Sequence, residues 1–408
     1  MGTRAVSMQP ASEPLSGSDA LLFTSGAREL RAWGAAARIT VPARGGALMD
    51  GPFQRAIAEA FEQARRAGQE NPVVIGAIPF DLGEPSCLTV PSHYEWRPRP
   101  AAPAVDDATV MPPLVEERSI PDEHGFKAAV AHAIVNFRHS DIRKAVLSVT
   151  RELRFSAPVD TDRLLASLRA QNPEGYQFRV PLPGGGDLIG VSPELLLRKQ
   201  GERLHSNPLA GSARRQPVAE EDRAAADRLL ASTKDQYEHR LVIDEVRRVL
   251  EPYCRTLEVP EAPSLLATPA LWHLSTQVDG VLRDPATTVL QLACLLHPTP
   301  AVCGIPTDRA RKLISLVEPF ERGLFTGMVG WCDANGDGEW VVTIRCGTVK
   351  RDTVRLFAGA GIVEASEPAA EWAETQAKLG TMLNACGLTA RGALEVALAG
   401  RSPAGEVS

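Results

Sequence analysis

The sequence predicts an α+β fold, on three observations. Strand and hairpin signals follow one another through 176–208, "YQFRVPLPGGGDLIGVSPELLLRKQGERLHSNP". Long helical patterns at about 219–252 and 368–386 interrupt them, and strand signals return in between, at 324–331, "GEWVVTIRCGTVK" and "TVRLFAGAGIV". Runs of antiparallel-looking strands broken by long helices are the pattern of α+β proteins rather than of alternating βαβ units.

Taken in order, residues 1–20 are rich in Ser, Pro and Ala and read as a disordered N-terminus. The apolar runs "VVIGAIPFD" (73–81) and "CLTVP" (87–91) read as strands. Segment 96–125 is dense in proline, which removes backbone donors, so it reads as an extended surface connection. A helix-period stretch from Phe126 to Phe137 precedes the strand "KAVLSVTREL". The triple glycine Gly184–Gly186 fits neither phosphate-loop spacing and reads as a hairpin turn. The helix from about 368 ends at Gly387, a residue type suited to the position after a helix. The tail "RSPAGEVS" reads as disordered, and no internal repeat is evident.

Composition narrows the class. The chain has 408 residues, 44% of them hydrophobic and 23% charged, which is enough for a large core. A net charge of −6 without a Lys/Arg cluster argues against nucleic acid as a partner. Seven scattered cysteines with no C-x-x-C pair read as reduced thiols of a cytoplasmic protein. No signal-peptide core and no 18-residue apolar stretch is present, so no membrane association is expected.

Several residues could carry chemistry. Glu371, Glu374 and Lys378 are spaced three and four apart, on one stripe of the last helix. Alone, Glu374 and Lys378 also read as a solvated ion pair. Just upstream, Gly359 and Gly361 in "FAGAGIVEASEP" leave backbone amides open to an anion if the segment is a loop; a strand ending in a bulge is the alternative. In "STKDQYEHRLVIDEVRRVL", Lys234, Glu238 and Glu245 share a flank, while His239 points about 100° away. If Glu238 and Glu374 converge from two helices, they form a hard-oxygen pair suited to Mg²⁺. Glu194 reads either as a partly buried general acid or as a strand-edge partner of Arg198. Lys144, which opens an apolar strand, reads as a snorkelling edge lysine or as a base.

Together the segments "RKAVLSV", "GVSPELLLRK", "SNPLAGSARR", "TKDQYEHRLV", "LWHLST", "LHPTPAVCGIP", "VTIRCG", "FAGAGIV" and "EWAETQAKL" resemble, in order and spacing, the chorismate-utilising enzymes. Within them the chain looks most like isochorismate synthases, strongly over about 120–387. That resemblance implies a single catalytic domain over 21–388, with two stacked, mainly antiparallel sheets flanked by helices. Its parts would be N-terminal strands at 21–95, the proline-rich connection and a motif-bearing core at 126–388; 389–408 would form a tail beyond the family's common end.

The resemblance also implies roles. Lys144 would activate water for attack at C2 of chorismate, and Glu194 would protonate the departing 4-hydroxyl. Glu238, Glu374 and Glu371 would hold Mg²⁺, which clamps the ring carboxylate beside Gly211, Ser212 and His273. Arg345, Lys378 and the amides around Gly359, Ala360 and Gly361 would receive the enolpyruvyl carboxylate, and Ala301 and Val302 would contact substrate. A free lysine, with a pKa of about 10.4, is a poor base at neutral pH, so such a role requires a desolvated site beside cations.

Lys144 favours water over the ammonia used by the amine-forming relatives, so no glutaminase subunit is expected, and the resemblance implies a monomer. "HPTPAVCG", "LWHL" and "PLAGSARR" favour release of isochorismate over conversion to salicylate. Isochorismate would feed siderophore (2,3-dihydroxybenzoate or salicylate) or menaquinone biosynthesis. Val302 and Val149 depart from the family's usual leucine and arginine. A non-catalytic chorismate-binding relative would have lost Lys144 or an acidic residue, and none is lost.

Overall fold

The structure is a computed structural model and describes residues 20–101 and 111–388. The expected N-terminal disorder (Ala20 apart), the middle of the proline-rich segment and the C-terminal tail lie outside the described residues. Eight helices are described: α1 (Pro52–Arg66), α2 (Glu123–Arg138), α3 (Thr161–Gln171), α4 (Ala219–Ala231), α5 (Thr233–Leu250), α6 (Val289–Leu296), α7 (Thr307–Val317) and α8 (Pro368–Ala385). They flank a ten-stranded and a nine-stranded antiparallel sheet, so the α+β prediction holds. A third, three-stranded sheet of Leu209–Arg214, Leu271–Ser275 and Ser264–Ala267 adds to the expected two.

Three apolar clusters account for the layering. One mixes side chains of both large sheets, among them Phe23, Phe178, Ile75 and Val341, so the sheets pack face to face. The second covers the nine-stranded sheet with α1, α5 and α6; the third covers the ten-stranded sheet with α2, α3, α7 and α8. Each sheet therefore buries both faces, which is why strands such as Val73–Ile78 are apolar without alternation.

Two neighbouring chain segments pass from one sheet to the other. Asp187–Ser192 belongs to the ten-stranded sheet and Leu195–Gln200 to the nine-stranded one. The same holds for Cys346–Lys350 and Gly338–Val342. The crossings place Pro193–Glu194 and Thr343–Arg345 at a corner between the sheets, where Arg345 takes a φ of +50°. The continuous strand pattern of "GEWVVTIRCGTVK" is thus two strands of different sheets.

Other expectations need correction. The helix read over 219–252 breaks at Ser232, whose extended backbone and side-chain bond to the Asp235 amide cap α5. The strand read over 324–331 begins at Met328, because Thr326 has a φ of +58° and its amide bonds Thr343 outside any ladder. Part of the proline-rich connection, Leu114–Ile120, is a strand paired with Lys144–Phe155. Gly359–Gly361, left open between a loop and a strand end, lies in the strand Thr353–Ile362, opposite Val146–Ser148. The triple glycine does form a hairpin turn, with Gly185 and Gly186 at φ of +80° and +83°.

Candidate active site

The corner between the sheets, the three-stranded sheet, α5 and α8 enclose one cavity. Glu194, Gly211, Ser212, Glu238, His273, Ala301, Val302, Arg345, Gly359, Gly361 and Lys378 line it, all of them residues singled out in the sequence. Lys144, Ala360, Glu371 and Glu374 are not part of this lining. Lys144 is fully buried, with Nζ 3.0 Å from Glu238 Oε1. Ala360 pairs with Leu147 and packs into the helix-covered core, because alternate residues of a strand face opposite ways.

The glycines of this strand make room for Glu238, Lys144 and Ser148. A Cβ at Gly361 would stand 2.0 Å from Glu238 Oε1 and 3.1 Å from Lys144 Cε, and one at Gly359 would stand 2.7 Å from Ser148 Oγ. Their smallness serves side chains packed over the strand, not an exposed loop. The Gly359 carbonyl accepts from Lys378 Nζ at 2.9 Å.

Each of the three helix carboxylates is held by a lysine. Lys144 meets Glu238, Lys234 meets Glu371 at 2.6 Å, and Lys378 meets Glu374 at 2.6 Å. Burial pushes Glu238 up, but Lys144 and Lys234 outweigh it and hold the carboxyl below its ordinary value. Burial and the neighbouring Glu374 push Glu371 the other way. Glu245 takes no part, pairing with Arg248 on the surface of α5. Among the described residues no group of three or more His, Cys, Asp or Glu has a metal-holding arrangement. The carboxylates are an all-oxygen donor set suited to a hard cation, but each now serves a lysine.

Glu194 has no such partner. Arg198, its candidate mate, pairs with Glu339 instead. Glu194 Oε1 accepts from the Leu209 amide at 3.4 Å, and burial raises the carboxyl to about 7. Beside it, burial and then Arg345 hold His273 well below its ordinary value, so the ring is neutral. Arg345 Nη2 lies 3.3 Å from His273 Nε2 and can only donate. The ring proton therefore sits on Nδ1, 3.0 Å from Ser212 Oγ. Burial lowers Arg345 to about 10, and its Nη1 has no hydrogen-bond partner. His239 points away from the cavity, bonding the Ala210 carbonyl and Thr276.

Sequence reasoning missed the apolar wall. Val146, Phe325 and Phe357 line the cavity, with the two phenyl rings stacked 5.0 Å apart, and Thr326 lies beside them. The strand period holds the signal: Val146 is two residues from Lys144, and Phe357 two from Gly359. Phe325 and Thr326 sit in an irregular turn with no periodic signal.

The chain matches the model of the family described as "Chorismate binding enzyme" over residues 101–387. It belongs to that family. It is 47% identical over 369 residues to isochorismate synthase EntC of Escherichia coli strain K12, covering 90% of this chain and 94% of that protein. It is 44% identical over 338 residues to isochorismate synthase DhbC of Bacillus subtilis, covering 81% and 85% respectively. The crystal structure of a putative 2,3-dihydroxybenzoate-specific isochorismate synthase, DhbC, from Bacillus anthracis aligns with a TM-score of 0.85 at 42% identity, covering 92% of this chain and 98% of that one. The cavity described above therefore belongs to a chorismate-binding enzyme fold. No described helix is long and apolar enough to cross a membrane.

Proposed function

We propose that the protein isomerises chorismate to isochorismate in this cavity, with Mg²⁺ as cofactor and without a glutaminase partner. The observation that carries the reading is a proton-retaining acid, Glu194, in one cavity with Glu238, whose buried partner is Lys144. Exchange of a hydroxyl between two ring carbons needs a base for the incoming water and an acid for the leaving oxygen. As the free amine, released from Glu238, Lys144 takes the proton of the water that attacks C2, and Glu194 gives its proton to the 4-hydroxyl, which departs as water. A carboxyl raised to about 7 still holds that proton near neutrality.

The substrate is a dianion, and the cavity offers Arg345 and Lys378 to one carboxylate. Glu238, Glu371 and Glu374 would hold Mg²⁺, with lysine contacts exchanged for metal contacts on loading. Bound there, the cation supplies charge neutralisation for the other carboxylate. Identity to isochorismate synthases over nine-tenths of the chain supports the same activity here. The relative named as 2,3-dihydroxybenzoate-specific supports siderophore supply as the destination of the product, with menaquinone supply as the alternative. On this reading the enzyme works in the cytoplasm as a monomer.

Purified protein given chorismate and Mg²⁺ should yield isochorismate by chromatography, and excess chelator should stop turnover until Mg²⁺ is restored. Salicylate and pyruvate formed without a lyase would replace the reading with a salicylate synthase. Inactivity at every Mg²⁺ concentration would leave a non-catalytic binder.

A further inference from the structure

The strand that carries Lys144 has an incomplete outer edge. Gly304–Ile305 covers Lys144 and Ala145, and Leu114–Ile120 covers the strand from Thr150 onward. Between these two neighbours, no strand among the described residues partners Val146 and Ser148 on that side. Unpaired backbone groups at a buried edge are costly, so something else must bond them.

Two side chains do so. Ser148 N donates to Glu318 Oε1 at 2.7 Å, and Arg322 Nη2 donates to the Val146 carbonyl at 2.8 Å. The Val146 amide reaches the Cys303 carbonyl at 2.7 Å. Arg322 and Glu318 also grip each other in a fork, Nε to Oε2 at 2.8 Å and Nη2 to Oε1 at 2.6 Å. Both side chains are buried, and the guanidinium lies 4.5 Å from the centre of the Phe80 ring. The remaining nitrogen, Nη1, donates to the Val302 carbonyl at 2.8 Å and to Thr326 Oγ1 at 3.2 Å.

We infer that Glu318 and Arg322 are positioning residues, a two-side-chain substitute for a missing strand that sets Lys144 and the Val302 wall against the substrate. Val146, Val302 and Thr326, which Arg322 touches, all line the cavity, and Val146 is two residues from Lys144. A buried ion pair is seldom the most stable solution for a core, since apolar residues of similar volume often do as well. Here the pair bonds backbone groups that an apolar pair would leave unbonded. The kinetic part of this inference rests on the isomerase reading above; the structural part does not.

The test compares Arg322→Gln and the milder Glu318→Gln, whose amide oxygen can still accept from Ser148, with Glu29→Gln. Glu29 is an equally buried carboxylate, paired with Arg31 and Arg169 away from the cavity. Chorismate turnover, thermal midpoint and hydrogen exchange of the 144–150 segment are measured for each. Arg322→Gln should lower kcat roughly 10- to 100-fold with KM little changed, as displacement of a reacting group by about 1 Å does. Exchange at 146–148 should quicken about tenfold or more, and Glu318→Gln should show both effects more weakly. Glu29→Gln should alter neither readout even if its midpoint falls as far. Unchanged kcat and exchange in both pair variants, or equal losses in Glu29→Gln, would overturn the inference. If Arg322→Gln does not fold, Glu318→Gln decides. If the wild type makes no isochorismate, the isomerase reading fails alone, and exchange still judges the positioning.

Discussion

Glu194 and Glu238 line the same cavity and are both buried, yet their carboxyls move in opposite directions. At the Glu194 end the acid has one long backbone bond and no direct cation, so burial dominates and the proton stays on. At the Glu238 end two lysines outweigh the same burial penalty and keep the carboxylate ionised. The difference teaches that burial alone does not assign an acid its role; the partner within contact distance does. One residue type thus keeps its proton at one end and stands ionised beside lysines at the other.

The largest effect should come from the Glu238 end. Lys144→Ala removes the proposed base and leaves a buried carboxylate without its nearest partner, and turnover should fall about 10²- to 10⁴-fold. Calorimetry should still detect chorismate binding; turnover like wild type would break the comparison. Next, Glu194→Gln should cost a similar or smaller factor, and wild-type kcat/KM should show an alkaline limb beginning near pH 7, as Glu194 loses its proton. A flat profile through pH 8 would contradict its role as acid.

Stability should follow the same group. Its folded pKa of about 7 lies above the ordinary 4.5, so its contribution is full below about pH 4.5 and is lost as pH rises through 7. The unfolding free energy of wild type relative to Glu194→Gln should drop by on the order of 3 kcal/mol across that window. Urea titrations at several pH values measure it.

Smaller effects separate the two glycine environments near the last helix. Gly361→Ala puts a methyl onto Glu238 and Lys144 and should lower kcat about tenfold or more, consistent with the sensitivity of reacting groups to displacement. Gly380→Ala, in α8 with open space at its Cβ, should leave kcat alone and raise stability by about 0.4–1 kcal/mol. Equal kinetic effects in the two variants would show that crowding at Glu238 is not what matters.

Much of the site was legible because periodicity reports which face a residue shares. The spacing of Glu371, Glu374 and Lys378 placed them on one stripe, and α8 presents Glu374 to Lys378 and Glu371 to Lys234. Two local ambiguities were not resolvable. Arg198 stands four residues from Glu194, but Leu195–Gln200 runs beside Gly338–Val342, and Arg198 takes Glu339. "FAGAGIV" read either as a loop or as a strand end, because glycine content marks both turns and close packing; the partner strand decided for packing. Ser232 was hidden inside a helical pattern that continues on both sides of it.

By itself the sequence determined the α+β class, about half of the strand and helix positions and the order of motifs that places the chain among chorismate-utilising enzymes, since these depend on composition and short-range period. Tertiary structure alone decided that neighbouring segments switch sheets at Glu194 and Arg345, that Glu238 and Glu371 find Lys144 and Lys234, and that Glu318 and Arg322 complete the strand of Lys144. Those outcomes depend on contacts between residues far apart in the chain, which no local pattern encodes; Ser148 and Glu318 are 170 residues apart.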